Sequence, residues 1–307
     1  TTRAEYSNTN LPDSFAVWGW KTLAETPNWN SPTRVFDEKL VTKGAGDAGY
    51  DYTDKVYWDK TSIYKFFAVA PGTEPTNVTY SISGVTDGFI TIDGAVSGKA
   101  NDSEDYLITR KAKEQAGTAS TTPVCFDFHH TMSKVSFVVK NSLTDYPITI
   151  TSLTMTKWND SKGKFEQKSH EAPNKGKISD FVCDEWTLTD AVMDGSATLI
   201  GEGASNTNVE LDKGASQTLT DSYIFVPQTI TATEVDGKLT DGLTFTLTYK
   251  IGDEVFADHI GILPTQVWGT DMHTTYTITV GPDAITFGTP TVCAWEPNTA
   301  TGGTSIK

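Results

Sequence analysis

The sequence has little positive charge, few cysteines and no long apolar run. Lys and Arg total 24 against 39 Asp and Glu, so the net charge is -15. A negative surplus of this size repels phosphates and anionic lipids, so we expect no nucleic-acid partner. Apolar runs such as residues 66–70 fall far short of the roughly 20 residues that a membrane-spanning helix needs. The three cysteines, Cys125, Cys183 and Cys293, are an odd number at wide spacings, which predicts neither a disulfide framework nor a paired metal knuckle.

Sequence motifs of catalysis and cofactor binding are also scarce. Neither G-x-S-x-G nor H-E-x-x-H occurs. Residues 44–49 fit G-x-G-x-x-G, but they lead into Tyr50 and a strand or loop instead of a helix that would hold a phosphate. His129 and His130 are adjacent, and neighbours on a strand face opposite sides, so they cannot easily share a metal. We therefore predict no catalytic residue, no cofactor and no metal site, and we expect that the protein is not an enzyme.

The residues that are present favour a folded, sheet-rich chain. Hydrophobic residues make up 37% of the 307 residues, enough for sizeable cores and for two domains of ordinary size. Apolar residues alternate with polar ones at residues 64–68, 78–82, 135–139, 243–249 and 276–280, the pattern of half-buried strands. Turn dipeptides such as Asp87-Gly88 separate them. The best helix candidate is residues 31–40, where a capping Ser31 precedes Pro32.

These patterns predict an all-β fold of two tandem antiparallel β-sandwiches, of the immunoglobulin or transthyretin kind. Two polar segments could mark the boundary between them, residues 111–122 and residues 141–147. We place it at the second, which gives domains of residues 1–144 and 145–307. The first segment then serves as a long hairpin loop.

Eight tryptophans offer candidate ligand-binding aromatics, namely Trp18, Trp20, Trp29 and Trp58. Trp18 and Trp20 share one face of a strand and Phe15 and Val17 the other, so core packing is favoured over an exposed sugar-binding platform. The strand-like surroundings of Cys125 and Cys293 predict that both are small buried hydrophobes.

An ordered set of strand motifs resembles the fimbrillins, the subunits of protease-assembled pili of Gram-negative gut and oral bacteria. The motifs are residues 15–20 (FAVWGW), 64–71 (YKFFAVAP), 126–137 (FDFHHTMSKVSF), 223–228 (YIFVPQ), 276–280 (YTITV), 285–287 (ITF) and 292–295 (VCAW). Each motif is loose alone, but their order and spacing match the family over nearly the whole chain. The resemblance implies a structural role in adhesion at the cell surface.

The resemblance also implies a maturation route. Fimbrillins are exported as lipoprotein precursors to the outer membrane and trimmed after Arg or Lys by a surface protease, which removes the first strand. Arg3-Ala4 is similar to that processing site. The partners implied are this protease and other pilus subunits, in a homo- or heteropolymer, with host glycans or proteins as further candidates. A strand donated by the next subunit then fills the opened sheet.

The last 12 residues, 296–307, correspond to the donor segment of stalk fimbrillins, with Thr304 and Ile306 as the candidate donor positions. The segment is polar and Gly-rich, and Ile306 is its single large apolar residue. This departure leaves a tip or accessory subunit open beside a stalk subunit. A carbohydrate-binding adhesin remains the alternative function, and a secreted β-sandwich hydrolase with two facing carboxylates is the third.

Overall fold

The computed structural model describes residues 11–45, 49–100, 104–119, 122–171, 183–190, 192–281, 285–287, 290–295 and 304–306. Within these residues, one 3-10 turn, Gly117–Ala119, accompanies 29 strands. The strands are β1 (Ser14–Leu23), β2 (Thr33–Lys43), β3 (Tyr50–Asp51), β4 (Ser62–Ala70), β5 (Thr79–Ile82), β6 (Ile90–Ala95), β7 (Gly98–Lys99), β8 (Leu107–Thr109), β9 (Lys113–Ala116), β10 (Val124–Phe126), β11 (Phe128–His130), β12 (Ser133–Asn141), β13 (Ile148–Thr156), β14 (Gly163–Glu166), β15 (Trp186–Leu188), β16 (Ser196–Ile200), β17 (Val209–Leu211), β18 (Ser216–Thr218), β19 (Tyr223–Phe225), β20 (Gln228–Ile230), β21 (Thr233–Val235), β22 (Lys238–Asp241), β23 (Thr244–Ile251), β24 (Glu254–Ile262), β25 (Gln266–Trp268), β26 (Met272–Val280), β27 (Ile285–Phe287), β28 (Thr291–Ala294) and β29 (Thr304–Ile306). In these ranges no helix has the length and apolar character needed to cross a membrane. The predicted all-β class is confirmed.

The nine-stranded sheet 1 dominates the N-terminal half. Its order is β10-β29-β3-β2-β1-β4-β8-β11, and β9 pairs with β4 beside β8. β1 and β4 lie at its centre, and both read as nearly continuous apolar runs because both of their faces are buried. One face packs on sheet 2, with the order β15-β14-β6-β5. The layer between them includes Trp18, Phe67, Ile92 and Phe165.

The other face of sheet 1 lines a separate apolar interior. We call its buried residues the inner cluster: Phe15, Val17, Phe36, Val41, Tyr50, Tyr64, Phe66, Ala68, Ala70, Leu107, Val124, Phe126 and Phe128. The two end strands of the sheet, β10 and β11, are separated in the chain by Asp127 alone, so the sheet curls back on itself around this cluster. The curl places strand edges from distant parts of the chain side by side.

Sheets 3 and 4 enclose the second large core. Sheet 3 has the order β27-β26-β12-β19-β7, with β18 on β12 and β28 on β26, and sheet 4 has the order β16-β13-β23-β24, with β17 on β13. Their inward residues include Phe137, Leu153, Phe245 and Tyr276. The pair β12 and β26 is parallel over nine residues, a departure from the purely antiparallel expectation. Two two-stranded sheets, the long-range pair β20-β25 and the hairpin β21-β22, complete the described strands.

Strands on both sides of the predicted boundary at residue 144 share sheets. β14 follows the boundary and pairs with β6 of sheet 2, whereas β12 precedes it and belongs to sheet 3. The division into residues 1–144 and 145–307 therefore stays a prediction about domains, while the sheets themselves interleave across it.

Two local predictions are wrong. Residues 31–40 contain most of β2 instead of a helix, because pairing with β1 from Thr33 to Thr42 outweighs the local capping signal of Ser31 and Pro32. Cys125 and Cys293 lie in strands, as the pattern indicated, but their side chains are exposed. In β10 the alternation places Val124 and Phe126 inward, so Cys125 faces outward.

Candidate strand-binding site

Sheet 1 contains a place one strand wide that the C-terminal segment occupies. Thr304–Ile306 runs antiparallel to β10, with position 304 opposite Phe126, 305 opposite Cys125 and 306 opposite Val124. On its other side, position 306 pairs in parallel with Tyr50 of β3. We call the space between β3 and β10 the strand gap. β29 is the strand that joins these two edges of sheet 1.

The two walls of the strand gap depend on β29 for their hydrogen-bonding partner. β3 pairs with β2 on its inner side through Thr42 and Lys43, so its outer edge faces the gap. β10 pairs with β29 and with no other strand that the structure describes. If β29 left, two edges with unpaired N-H and C=O groups would face each other across one strand's width. Such edges are ready templates for another backbone.

The floor of the strand gap is aromatic. Phe15 is fully buried beneath it, with its ring centroid 5.1 Å from Tyr50, 5.6 Å from Phe126 and 5.6 Å from Phe128. The Tyr50 hydroxyl donates a 2.6 Å hydrogen bond to the carbonyl of Pro12, which gives its one polar atom a partner. Burial, with a smaller contribution from Asp13, raises the pKa of Tyr50 to about 12. Apolar side chains at alternate positions therefore stabilise any strand that fills the gap.

The outer rim is polar. Cys125 is exposed, and Asp127 lies 3.6 Å from the ring of His129. The nearby His129 ring lowers the pKa of Asp127, against the opposing effect of burial. A strand in the gap thus has one apolar and one solvated face, which suits an alternating sequence.

An open apolar cleft continues from the end of the strand gap. We call it the aromatic cleft; it is open to solvent, and its cavity volume is about 30 Å³. Its walls are Val35 and Phe36 of β2, Tyr52, Val56, Tyr57 and Trp58 after β3, Tyr64 and Phe66 of β4, and Val124 of β10. The Trp58 ring is perpendicular to Tyr64 at 4.6 Å, and the Phe36 ring is 5.2 Å from Tyr52. These contacts hold the walls in place beside the inner cluster.

The four candidate ligand-binding tryptophans are not brought together. Trp18 and Trp20 are 3% and 5% exposed, in the layer between sheets 1 and 2, so their rings contact protein on the side opposite the inner cluster. Trp29 is half-buried, with the Lys65 ammonium 4.5 Å from its ring centroid. Trp58 is half-buried in the aromatic cleft.

The other candidate sites fall at the two ends of the sequence. Arg3 and Ala4 lie outside the described residues. Thr304 and Ile306 belong to β29 and take part in its pairing with β10. The sequence reasoning missed the opposing walls, Tyr50, Val124 and Phe126, although the in-out-in alternation of residues 124–126 was a readable signal of an inward-facing edge.

A buried polar cluster lies where the segments after β7 and β25 meet β11. His130 Nδ1 and Asp105 Oδ1 form a 2.9 Å hydrogen bond, and the Trp295 ring stacks on the His130 ring with the centroids 4.0 Å apart. Burial raises the pKa of the nearby Asp271 to about 6. Although a His-carboxylate pair can serve catalysis, this one is covered by Trp295, and both of its side chains are fully buried. Its geometry fits a structural role.

A buried ion pair supports the same region. Arg110 donates two hydrogen bonds to Glu185, at 2.9 and 2.8 Å, and both side chains are buried. The pair links the segment after β8 to the turn before β15, and so attaches sheet 2 to sheet 1. In the ranges that the structure covers, no group of three or more His, Cys, Asp or Glu side chains is placed to hold a metal ion.

Comparisons with known proteins agree with this architecture. A family model described as fimbrillin-like matches residues 2–295. A fimbrial protein from Bacteroides vulgatus has a similar structure, with a TM-score of 0.62, 18% identity and 92% of each chain covered, which supports the fold. The tip fimbrial protein Mfa3 from Porphyromonas gingivalis is 11% identical over 96% of this chain and 97% of its own, with a TM-score of 0.38. Curated protein sequences give no match.

Proposed function

Because the chain belongs to the fimbrillin-like family, we propose that it is a structural subunit of a cell-surface pilus. In this proposal the strand gap is its assembly site, and a strand of a neighbouring subunit fills it during assembly. The observation that carries the proposal is β29, which lies between β3 and β10 and pairs with both. The gap thus accepts a strand that is far away in the sequence from both strands that border it.

Strand insertion supplies both affinity and direction. Backbone hydrogen bonds to β3 and β10 hold the incoming strand, and its alternate side chains enter over Phe15 and Phe126. If a donor strand buries on the order of 400 Å² of apolar surface, it gains about 10 kcal/mol before entropy is subtracted. Since donor and acceptor are different surfaces, the contact is head-to-tail and builds an open fibre.

The proposal includes maturation by a protease specific for Arg or Lys at the cell surface. Cleavage between Arg3 and Ala4 of an exported lipoprotein precursor would remove a strand that occupies the gap before assembly. Attachment to the outer membrane belongs to the same proposal.

Within the pilus we favour a tip or accessory position. The 12 residues 296–307 hold one large apolar residue, Ile306, and three of them pair as β29. A strand with so few apolar side chains gains little from the apolar floor of a neighbour's gap. As a donor strand, residues 296–307 would therefore bind weakly, which is the reason for favouring that position. We assign it no catalytic activity.

A carbohydrate-binding adhesin is the second candidate function. The observation in its favour is the cleft with Trp58 and the exposed ring of Tyr57, since aromatic faces commonly stack on sugars. Binding of host glycans that is lost in Trp58→Ala, with the fold intact, would support it.

Controlled processing of the precursor tests the assembly proposal. We expect treatment with an Arg-specific protease to convert the monomeric precursor to oligomers that resist dissociation, because cleavage opens the strand gap. The precursor carrying Arg3→Gln is the matched control and should stay monomeric. Cleavage at Arg3 that yields only monomers at every concentration, measured by size-exclusion chromatography with light scattering, would contradict the proposal.

A further inference from the structure

The aromatic cleft begins where β29 ends. Val124 is opposite position 306 in the register and is also a wall of the cleft. On the other side, position 306 pairs with Tyr50, and Tyr52, two residues further along, lines the cleft. Side chains two residues apart on a strand point to the same face. A strand that continues in this register therefore presents its next inward residue directly to the cleft.

The lining selects for an apolar side chain. All of the wall residues are Val, Phe, Tyr or Trp. The Tyr64 hydroxyl already accepts a 2.7 Å hydrogen bond from the N-H of Asp59. A sugar brings several hydroxyl groups that each need a partner, and this surface supplies few. A leucine, phenylalanine or tryptophan side chain needs none at its apolar atoms.

The cleft's mouth is also unusually apolar for a surface. Tyr57 is 90% exposed and Val56 is 42% exposed, although both line the cleft together with Tyr64 and Phe66 of the inner cluster. Contiguous exposed apolar surface on a monomer is typical of an interaction site. Its continuity with the gap that holds β29 indicates the occupant, which is the same strand that enters the gap.

We propose that the aromatic cleft anchors a large apolar side chain of the incoming subunit strand, at the position two residues after the one opposite Val124. This inference rests on the proposed function and adds the partner's chemistry and register. The strand gap would supply backbone hydrogen bonds to any incoming strand, and the cleft would determine which strand sequence binds most tightly. A strand with a small or charged residue at that position would bind in the same place but less tightly.

A peptide series measures the preference. The probes are fluorescein-labelled decapeptides with the sequence of residues 299–307 followed by Phe, Leu, Ala or Asp, titrated by anisotropy against the full chain. In the register of β29, the tenth residue is the one that meets the cleft. We expect the Phe and Leu peptides to bind roughly 10- to 100-fold more tightly than the Ala peptide, from burial of one large apolar side chain. The Asp peptide should bind most weakly.

Variants of the cleft assign the effect to its walls. Tyr57→Ala and Val56→Ala remove exposed atoms at the mouth, so we expect folding to be kept and the advantage of Phe over Ala to fall several-fold. Tyr146→Ala is the matched control, since Tyr146 is 57% exposed and is not a cleft residue. It should leave the advantage unchanged.

The outcomes separate this inference from the proposed function. Equal binding of all four peptides, in competition with β29, would overturn the anchor role and leave strand insertion standing. Binding by none of them at millimolar concentration would count against strand insertion itself. A glycan that binds and is lost in Tyr57→Ala, with no preference among the peptides, would overturn the inference in favour of a sugar site.

Discussion

The edge strands β10 and β24 differ in the burial of their side chains and in the regularity of their pairing. β10 turns Val124 and Phe126 into the inner cluster, and its pairing with β29 shows no register shift. β24, the terminal strand of sheet 4, is mostly exposed, with Ile260 67% exposed. Its pairing with β23 is interrupted between Leu247 and Tyr249. One edge is regular and has an apolar floor, while the other is irregular and faces solvent.

The irregular edge carries features that discourage strand addition. Asp258 in β24 has a φ of 55°, which breaks the extended backbone, and Glu254 begins the strand with a negative charge. Bulges and charged residues are the usual protection of an edge strand against unwanted pairing. One edge therefore carries protection against strand addition, whereas the edge beside the aromatic cleft is regular and lies over an apolar floor.

The largest predicted difference is in the stability lost when one side chain is truncated beneath β10 or on β24. Phe15→Ala removes the ring that contacts Tyr50, Phe126 and Phe128, so we expect a loss of about 3 to 5 kcal/mol in the free energy of unfolding. Ile260→Ala on β24 should cost under about 0.5 kcal/mol because its side chain is exposed. Urea denaturation of both variants measures the difference, and similar losses would remove the distinction.

The next difference lies in the backbone of the two edges. Asp258→Val places a β-branched residue at positive φ, so we expect it to cost about 1 to 2 kcal/mol. Cys125→Val on β10, an exposed position with regular pairing, should be neutral within about 0.5 kcal/mol. Thermal unfolding of the two variants provides the measurement. A neutral Asp258→Val would show that the irregularity of β24 is not imposed by its sequence.

Burial of Tyr50 predicts that the stability of the protein depends on pH at alkaline values. The native pKa of Tyr50 is about 12 and an unfolded tyrosine has a pKa of about 10, so the unfolded chain ionises first. The contribution is fully present below pH 10 and is lost as the pH rises toward 12. Tyr50→Phe should flatten this alkaline loss and cost about 1 kcal/mol at pH 7, from the lost bond to Pro12.

The exposed tyrosine of the cleft is the control for that pH profile. Tyr57→Phe removes the same hydroxyl group from a side chain that is 90% exposed, and it is compared with Tyr50→Phe over the same pH range. Stability is followed by urea denaturation from pH 7 to 11. If Tyr50→Phe and wild type lose stability in parallel above pH 10, the hydroxyl of Tyr50 is not held neutral beneath the gap.

The smallest effect on stability concerns protection of β24. Glu254→Val removes the charge at the start of the strand and should change the free energy of unfolding by less than about 0.5 kcal/mol. It should nevertheless increase concentration-dependent association, because an uncharged apolar edge pairs more readily. Light scattering over a concentration series tests this. Glu254→Gln is the control for charge alone, and unchanged scattering in both variants would indicate that β24 needs no charged protection.

The strands were predictable where side chains alternate. Residues 243–249 and 276–280 predicted β23 and β26, because one face of each strand is buried and the period of two is visible locally. β2 was not predictable in this way. Ser31 and Pro32, which precede β2, are a local signal for a helix start. The strand conformation of β2 comes from its pairing with β1, and a local sequence pattern holds no information about that pairing.

The site was predictable only in part. The sequence indicated Thr304 and Ile306 as candidate donor positions, but their pairing with residues 124–126 joins segments about 180 residues apart. No local pattern encodes such a contact. Trp58 was one of four candidate aromatics, and the sequence could not separate it from the buried Trp18, since both lie in aromatic stretches and differ only in which layer covers them.

A reversible lock on β29 tests most directly whether the strand gap exchanges its occupant. Position 305 lies opposite Cys125, so Ser305→Cys should form a disulfide with it, at the Cα separation of opposed antiparallel residues. Cys183→Ser and Cys293→Ser remove the other thiols. We predict that the oxidised variant does not bind the Phe decapeptide and that reduction restores wild-type binding. Equal binding in both states, with the disulfide verified by mass spectrometry, would contradict strand exchange at this gap.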